Sequence, residues 1–346
     1  MVKNIYRWPL WHWHFEASSI CTLQCPRCPR TELPDTLVQT NLNLQFFEKN
    51  FTPVFLQTHV TRMSFCGDDG DPIYAKDFLK IIEYIKQCNP YINLLIVTNG
   101  SYKTIDWWNK LSAILNEYDE IHFSLDGWDQ ASNEIYRKKS NWESIINGVA
   151  ELRKNNKVTI RWAAIVFNYN QHKIEHMQDL AKQLGFDSFQ LTHSSKFGIN
   201  YNNYNINGID ELQPEEQYIS NGRFTRDIID FTNRTPDITR SLAANLKHYE
   251  NRSSIGDITP LCWIGNKGLY INSQGNFFPC CWVGNRYDMN TYNLFMRPEL
   301  NLNISDMETV LNWNGWDDMF NKFGLISECL NKCVSHSITR EYSTKW

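Results

Sequence analysis

The segment Cys21-Thr22-Leu23-Gln24-Cys25-Pro26-Arg27-Cys28 constrains this chain more than any other. It sets three thiols at i, i+4 and i+7, directly after the alternating run Trp11-His12-Trp13-His14-Phe15-Glu16-Ala17, which reads as a β-strand. Soft thiolates select zinc or iron–sulfur over harder metals, and a closed structural zinc site takes four protein ligands. Three cysteines in one loop therefore fit half of a zinc knuckle, or three corners of a cubic [4Fe–4S] cluster. In the second case one iron stays open to a ligand that is not protein.

The rest of the chain supplies a frame for such a loop. Strand-like segments at 11–19, 60–66, 93–98, 120–124, 158–167 and 187–192 alternate with helix-period segments at 44–56, 77–87, 104–115, 142–154 and 171–184. That rhythm calls for an α/β fold with a parallel sheet and helices outside it. Six units fall short of eight, so the expected form is an open, partial (β/α)6 TIM-like barrel over residues 1–195. In such barrels the loops after the strands carry the chemistry, and the short Gly/Asp/Asn motifs of this chain all sit at strand ends. Residues 196–257 read as a bridge, with helices expected near 215–232 and 239–249. Residues 258–346 read as a second, smaller domain. It opens with a hairpin at 269–272 and 276–278, turned by Ser273-Gln274-Gly275. Cys262, Cys280, Cys329 and Cys333 give that region four thiolates, enough for zinc or for a second cluster, with Cys281 to spare.

Ten cysteines in a chain with no basic-then-apolar opening stretch argue for metal binding over a disulfide framework. A net charge of −4 gives no reason to expect nucleic acid as a partner. No run approaches the ~18 apolar residues of a membrane span, so no membrane partner and a cytoplasmic location are expected.

The C-x3-C-x2-C spacing at the end of a first strand resembles the radical S-adenosylmethionine (SAM) superfamily. In that family the open iron is chelated by the amino and carboxylate groups of SAM. Electron transfer then releases methionine and a 5′-deoxyadenosyl radical, which removes a hydrogen atom from the substrate. The resemblance implies further roles. Gly70 and Asp71 stand where the family has a Gly-Gly-Glu-Pro turn facing the SAM ammonium, with Asp69 replacing the first Gly and Asp71 the Glu. Thr98 and Asn99 resemble the end of strand three. Ser124 and Asp126 resemble the strand-four residues near the SAM ribose and carboxylate, and Arg137 fits the arginine that forks onto that carboxylate. Arg27 replaces the usual aromatic residue before the third cysteine, and is expected to stack on adenine.

The C-terminal pattern, Cys262 followed after twelve residues by Gly275 and after four more by Cys280, resembles the SPASM/Twitch extension of these enzymes. It implies one auxiliary [4Fe–4S] cluster on Cys262, Cys280, Cys329 and Cys333, the same four thiols that would otherwise hold a structural zinc. Cys66, at the end of strand two, and Cys281 are candidate hydrogen donors to a substrate radical, with plain core packing as the alternative for both, and for Cys281 also the place of Cys280 as cluster ligand. His193 and Lys196 are candidate substrate contacts. The expected substrate is a peptide or protein undergoing oxidation, cross-linking or epimerisation. The alternatives are a small sugar, nucleoside or nucleotide, or a non-catalytic iron–sulfur electron carrier. An electron donor such as flavodoxin or ferredoxin is the implied partner.

Overall fold

A computed structural model describes residues 12–155, 157–193, 197, 212–219, 225–232, 234, 269–322, 326 and 329–330. Six parallel strands follow one another in the sheet: β1 (His12–Phe15), β2 (Arg62–Phe65), β3 (Asn93–Thr98), β4 (Glu120–Ser124), β5 (Thr159–Ile165) and β6 (Ser188–His193). Three more extend it at both ends. β7 (Thr225–Asp230) lies antiparallel on β6, while β8 (Leu269–Ile271) runs parallel beside β1 and β9 (Phe277–Phe278) turns back on β8. The order is 7-6-5-4-3-2-1-8-9, so among the described residues β7 and β9 remain the two edges of an open barrel. The expected partial barrel is the observed one.

The two-residue period of the strands sorts this sheet into two chemistries. Outward positions are large and apolar: Trp13, Phe15, Met63, Phe65, Phe123 and Trp162 are all fully buried. They meet helices that include α2 (Leu44–Asn50), α4 (Phe78–Cys88), α5 (Ile105–Ile114) and α6 (Trp142–Asn155), as in the edge-on contact of Trp13 with Phe51 at 5.0 Å. Burying one such ring stabilises the fold by roughly 2–3 kcal/mol. Inward positions are polar and paired: His12 with Ser64 at 2.8 Å, Arg62 with Glu120 at 3.0 Å, and His122 with Glu120 at 2.8 Å. The histidines that alternate with Trp13 and Phe15 thus face the barrel interior.

Two sequence expectations are corrected. The single helix over 44–56 is two, α2 and α3 (Pro53–His59). Pro53 has no N–H to continue α2, and Thr52 instead caps α3 by accepting from the Phe55 N–H at 3.3 Å. The helix expected near 215–232 is a 3-10 turn, Glu216–Tyr218, followed by strand β7. The unpaired edge of β6 offers a full ladder of partners, which outweighs local helix preference. The helix expected near 239–249 lies outside the described residues. The C-terminal hairpin forms as expected, with Gly275 at φ 80° in its turn, and it lies in the same sheet as the barrel strands.

Candidate active site

The cysteine loop leaves β1 and is braced from two directions. Gln24 N–H donates to the Lys138 carbonyl at 3.0 Å, and Arg30 Nη2 donates to the Leu23 carbonyl at 2.8 Å. Cys28 then caps a short helix α1 (Pro29–Glu32), whose opening proline fixes the exit of the chain. Leu23, Cys25, Tyr136, Phe167 and Phe197 form an apolar cluster around the loop, separate from the main core. This packing buries Cys25 and leaves Cys21 and Cys28 partly exposed toward the cavity.

All three cysteines line one cavity of about 370 Å³. Its wall also carries Arg27, Gly70, Asp71, Thr98, Asn99 and Ser124, and Arg137, Cys66 and Cys281 complete the set. The scattered strand-end motifs of the sequence therefore meet in one place. Burial, with Asp71 close by, pushes the Cys21 thiol up to about 12. Burial likewise pushes Cys25 up to about 11, against the pull of Arg137. Thiols of this kind ionise when a metal centre supplies positive charge. Two N–H groups already point at Cys21 Sγ, from Leu23 at 3.4 Å and from Asn99 Nδ2 at 3.6 Å. The donor set suits a cluster held at three corners. Among the described residues no group of three or more His, Cys, Asp or Glu side chains converges on a single ion. Thiolates on separate irons of a cubane need not converge in that way.

The structure refines several expected roles. Asp126 is fully buried and does not line the cavity. It accepts from the Ile165 N–H at 2.7 Å and from Arg137 Nε at 2.5 Å, so it holds the arginine that does line it. Asp71 lines the cavity but is heavily engaged by its own chain. It accepts from the Asn99 N–H at 2.7 Å, Asn99 Nδ2 at 2.5 Å and Thr98 Oγ1 at 2.8 Å. Burial pushes its carboxyl up to about 6, and those hydrogen bonds favour the ionised form. Thr98 and Asn99 are in this sense the clamp on Asp71. Arg27 is buried, with its guanidinium carbon 5.3 Å from the centre of the Phe197 ring, so it already stacks on one aromatic side chain. Gly70 lies against the Ser18 carbonyl, where no β-carbon would fit.

Asp69, which departs from the family pattern, is explained by a partner from far along the chain. Arg286 forks onto it, with Nε at 2.7 Å, and also donates to the Leu33 carbonyl at 2.8 Å. Glu16 fastens the same loop from below, accepting from the Asp69 N–H at 2.5 Å and from the Tyr270 hydroxyl at 2.8 Å. One signal of this network is legible in Asp69 itself: an acid at a glycine position beside a buried loop needs a cation.

Cys66 Sγ lies 2.7 Å from His14 Nε2, and burial raises the thiol and lowers His14 to about 4, so both are neutral. Cys281 is on the cavity wall and, like Cys280 and Cys329, packs with the main core. Cys262 and Cys333 lie outside the described residues, as does Lys196. His193 sits away from the cavity and pairs with Asp227 at 3.1 Å. Among the described residues no helix is long and apolar enough to cross a membrane.

Within an open parallel barrel, three thiols share one cavity with Asn99, Ser124 and Arg137, and that donor set suits a cluster held at three corners. Residues 15–181 match the model of the Radical SAM superfamily, and this domain belongs to it. No curated protein matches the chain. Similar solved structures include Streptococcus suis SuiB bound to S-adenosylmethionine, 15% identical with a TM-score of 0.54, over 92% of this chain and 68% of that one. SuiB bound to the precursor peptide SuiA gives 16% identity and a TM-score of 0.55 over the same shares. A third is anSMEcpe with bound AdoMet, 14% identical with a TM-score of 0.51, over 91% of this chain and 84% of that one. At these identities the likeness is one of fold.

Proposed function

We propose that this chain is a radical SAM enzyme that abstracts a hydrogen atom from a peptide or protein substrate. The observation that carries this reading is the shared cavity: Cys21, Cys25 and Cys28 face the same space as Asn99, Ser124 and Arg137. When bound, a [4Fe–4S] cluster and SAM supply a carbon-centred radical able to attack an unactivated C–H bond. The chain's own residues do the rest. The three thiols would hold the cluster, and Arg137, fixed by Asp126, presents a guanidinium for the SAM carboxylate. Asp71, clamped by Thr98 and Asn99, offers the remaining carboxylate surface near the SAM amino group. The apolar cluster around the loop excludes water, which would quench the chemistry. Cys66 and Cys281, two thiols on the cavity wall, would return a hydrogen atom to a substrate radical.

The peptide reading draws on SuiB, which was captured with a precursor peptide, and on anSMEcpe, captured with the Cp18Cys peptide. We extend the proposal to an auxiliary [4Fe–4S] cluster on Cys280 and Cys329, together with Cys262 and Cys333. Oxidation of the substrate would need such an electron acceptor, and a flavodoxin or ferredoxin would supply the reducing electron. The test is direct. Reduced, anaerobically reconstituted protein is incubated with SAM, and 5′-deoxyadenosine is measured. Formation by the wild type and its loss in Cys25→Ser supports the reading, and absence of product in both rejects it. About 8 irons per chain, falling to about 4 in Cys280→Ala with Cys329→Ala, supports the second cluster.

A further inference from the structure

A second cavity, of about 270 Å³, occupies the barrel interior. It shares the wall residues His14, Cys66, Ser124, Arg137 and Arg226 with the cavity above the cysteine loop. Most polar groups on its wall already have partners. His12 bonds Ser64, His14 meets Cys66, His122 bonds Glu120, and Gln190 donates to Thr192 at 3.2 Å. No aspartate or glutamate among the described residues lines this space, and its two cations are Arg137 and Arg226. Arg137 has Asp126 as its counter-charge.

Arg226 differs. It sits on β7 opposite Thr192, at the edge strand that closes over the cavity. Its Nε is buried and makes no hydrogen bond, and no ion pair to it is found among the described residues. Among the described residues, the ionisable groups acting on it are the thiols of Cys66 and Cys281 and another cation, Arg161. A half-buried guanidinium whose Nε is desolvated, with no counter-charge among the described residues, is costly. Its planar fork matches a carboxylate or phosphate in two-point geometry. We propose that Arg226 binds an oxyanionic group of the substrate, a carboxylate or a phosphate, and so hangs the substrate in the barrel interior beside Cys66. This rests on the enzyme reading given above and adds the recognition chemistry of its substrate.

The experiment uses the full-length, cluster-loaded protein, titrated calorimetrically with SAM, with glutarate and with inorganic phosphate. Wild type, Arg226→Met and Arg226→Lys are compared. At least one anion is expected to bind the wild type, and Arg226→Met to weaken it tenfold or more. Which anion binds tells a carboxylate substrate from a phosphorylated one. Should Arg226→Met fail to fold, Arg226→Lys decides, because a point charge loses the two-point contact and weakens binding several-fold. The proposal is overturned if neither anion binds the wild type, or if both bind the variants as tightly. It is also overturned if the variants lose SAM affinity and keep anion affinity, which would assign Arg226 to the cofactor. Failure of SAM to bind the wild type counts against the enzyme reading alone.

Discussion

Asp126→Asn isolates the charge that holds Arg137 in the cavity. The amide keeps an oxygen for the Ile165 N–H, now at 2.7 Å, and nearly the volume of the carboxyl, so packing is conserved. What is lost is the negative charge 2.5 Å from Arg137 Nε on a side chain with no solvent exposure. Removing one partner of a buried pair costs roughly 3–5 kcal/mol. Arg137 keeps 16% of its side chain exposed toward the cavity, so the lower end, about 3 kcal/mol, is expected. Urea unfolding of the cluster-loaded protein reads this as a fall in midpoint of about 1 M for a slope near 3 kcal/mol/M. Arg137→Met and the double variant complete the cycle. If the two side chains act as one unit, the double variant loses less than the sum of the singles, by at least about 1 kcal/mol. SAM affinity should fall in Asp126→Asn although Asp126 does not line the cavity. A midpoint unchanged within about 0.2 M, or strictly additive losses, would refute the view that Asp126 acts by positioning Arg137.

Gly70→Ala places a β-carbon onto the Ser18 carbonyl, where two backbone segments meet; SAM affinity should drop at least tenfold and stability by about 1–3 kcal/mol, read by equilibrium dialysis and thermal unfolding. Asp69→Gly restores the family residue yet should destabilise the chain by about 2–4 kcal/mol, because Arg286, 3% exposed at its side chain, loses its counter-charge; an unchanged urea midpoint would speak against the pair. His122 is held at about 4 by burial, against an ordinary value of 6.5. Between those values the unfolded chain binds a proton that the folded chain does not, so stability is lost as pH falls from 6.5 toward 4, by an amount of order 3 kcal/mol. His122→Gln should flatten that limb, measured as urea midpoint against pH.

The parts of the site that the sequence made legible are those written in one short stretch or at strand ends. The cysteine triplet, Thr98-Asn99 and Ser124 take their places because the strands deliver them there, and strand periodicity is a local property, while Arg137 is set by the end of the helix Gln130–Tyr136. Asp126 is expected near the SAM ribose and carboxylate, and the structure shows it bracing Arg137; sequence order cannot tell a side chain that faces a cavity from one that braces it. Asp69 signals a cation without saying which, so Arg286 is not identified, and nothing signals Arg226. One is 217 residues from its partner Asp69, and the other lies on a strand whose pairing depends on a free sheet edge. The missed strand β7 and the split of the helix at Pro53 have the same origin: tertiary partners and a single imino acid override an average preference. The place of the hairpin beside β1 was hidden for a similar reason, because nothing within 269–278 specifies which edge it joins.

The central claim is an iron corner left open within the Cys21–Cys25–Cys28 loop for SAM to occupy. Electron paramagnetic resonance of the dithionite-reduced, anaerobic protein tests it most directly, recorded with and without SAM on the wild type and on Cys25→Ser. The account predicts a reduced-cluster signal whose shape changes on adding SAM, and loss of that SAM-sensitive component in the variant. A wild-type spectrum indifferent to saturating SAM would contradict it.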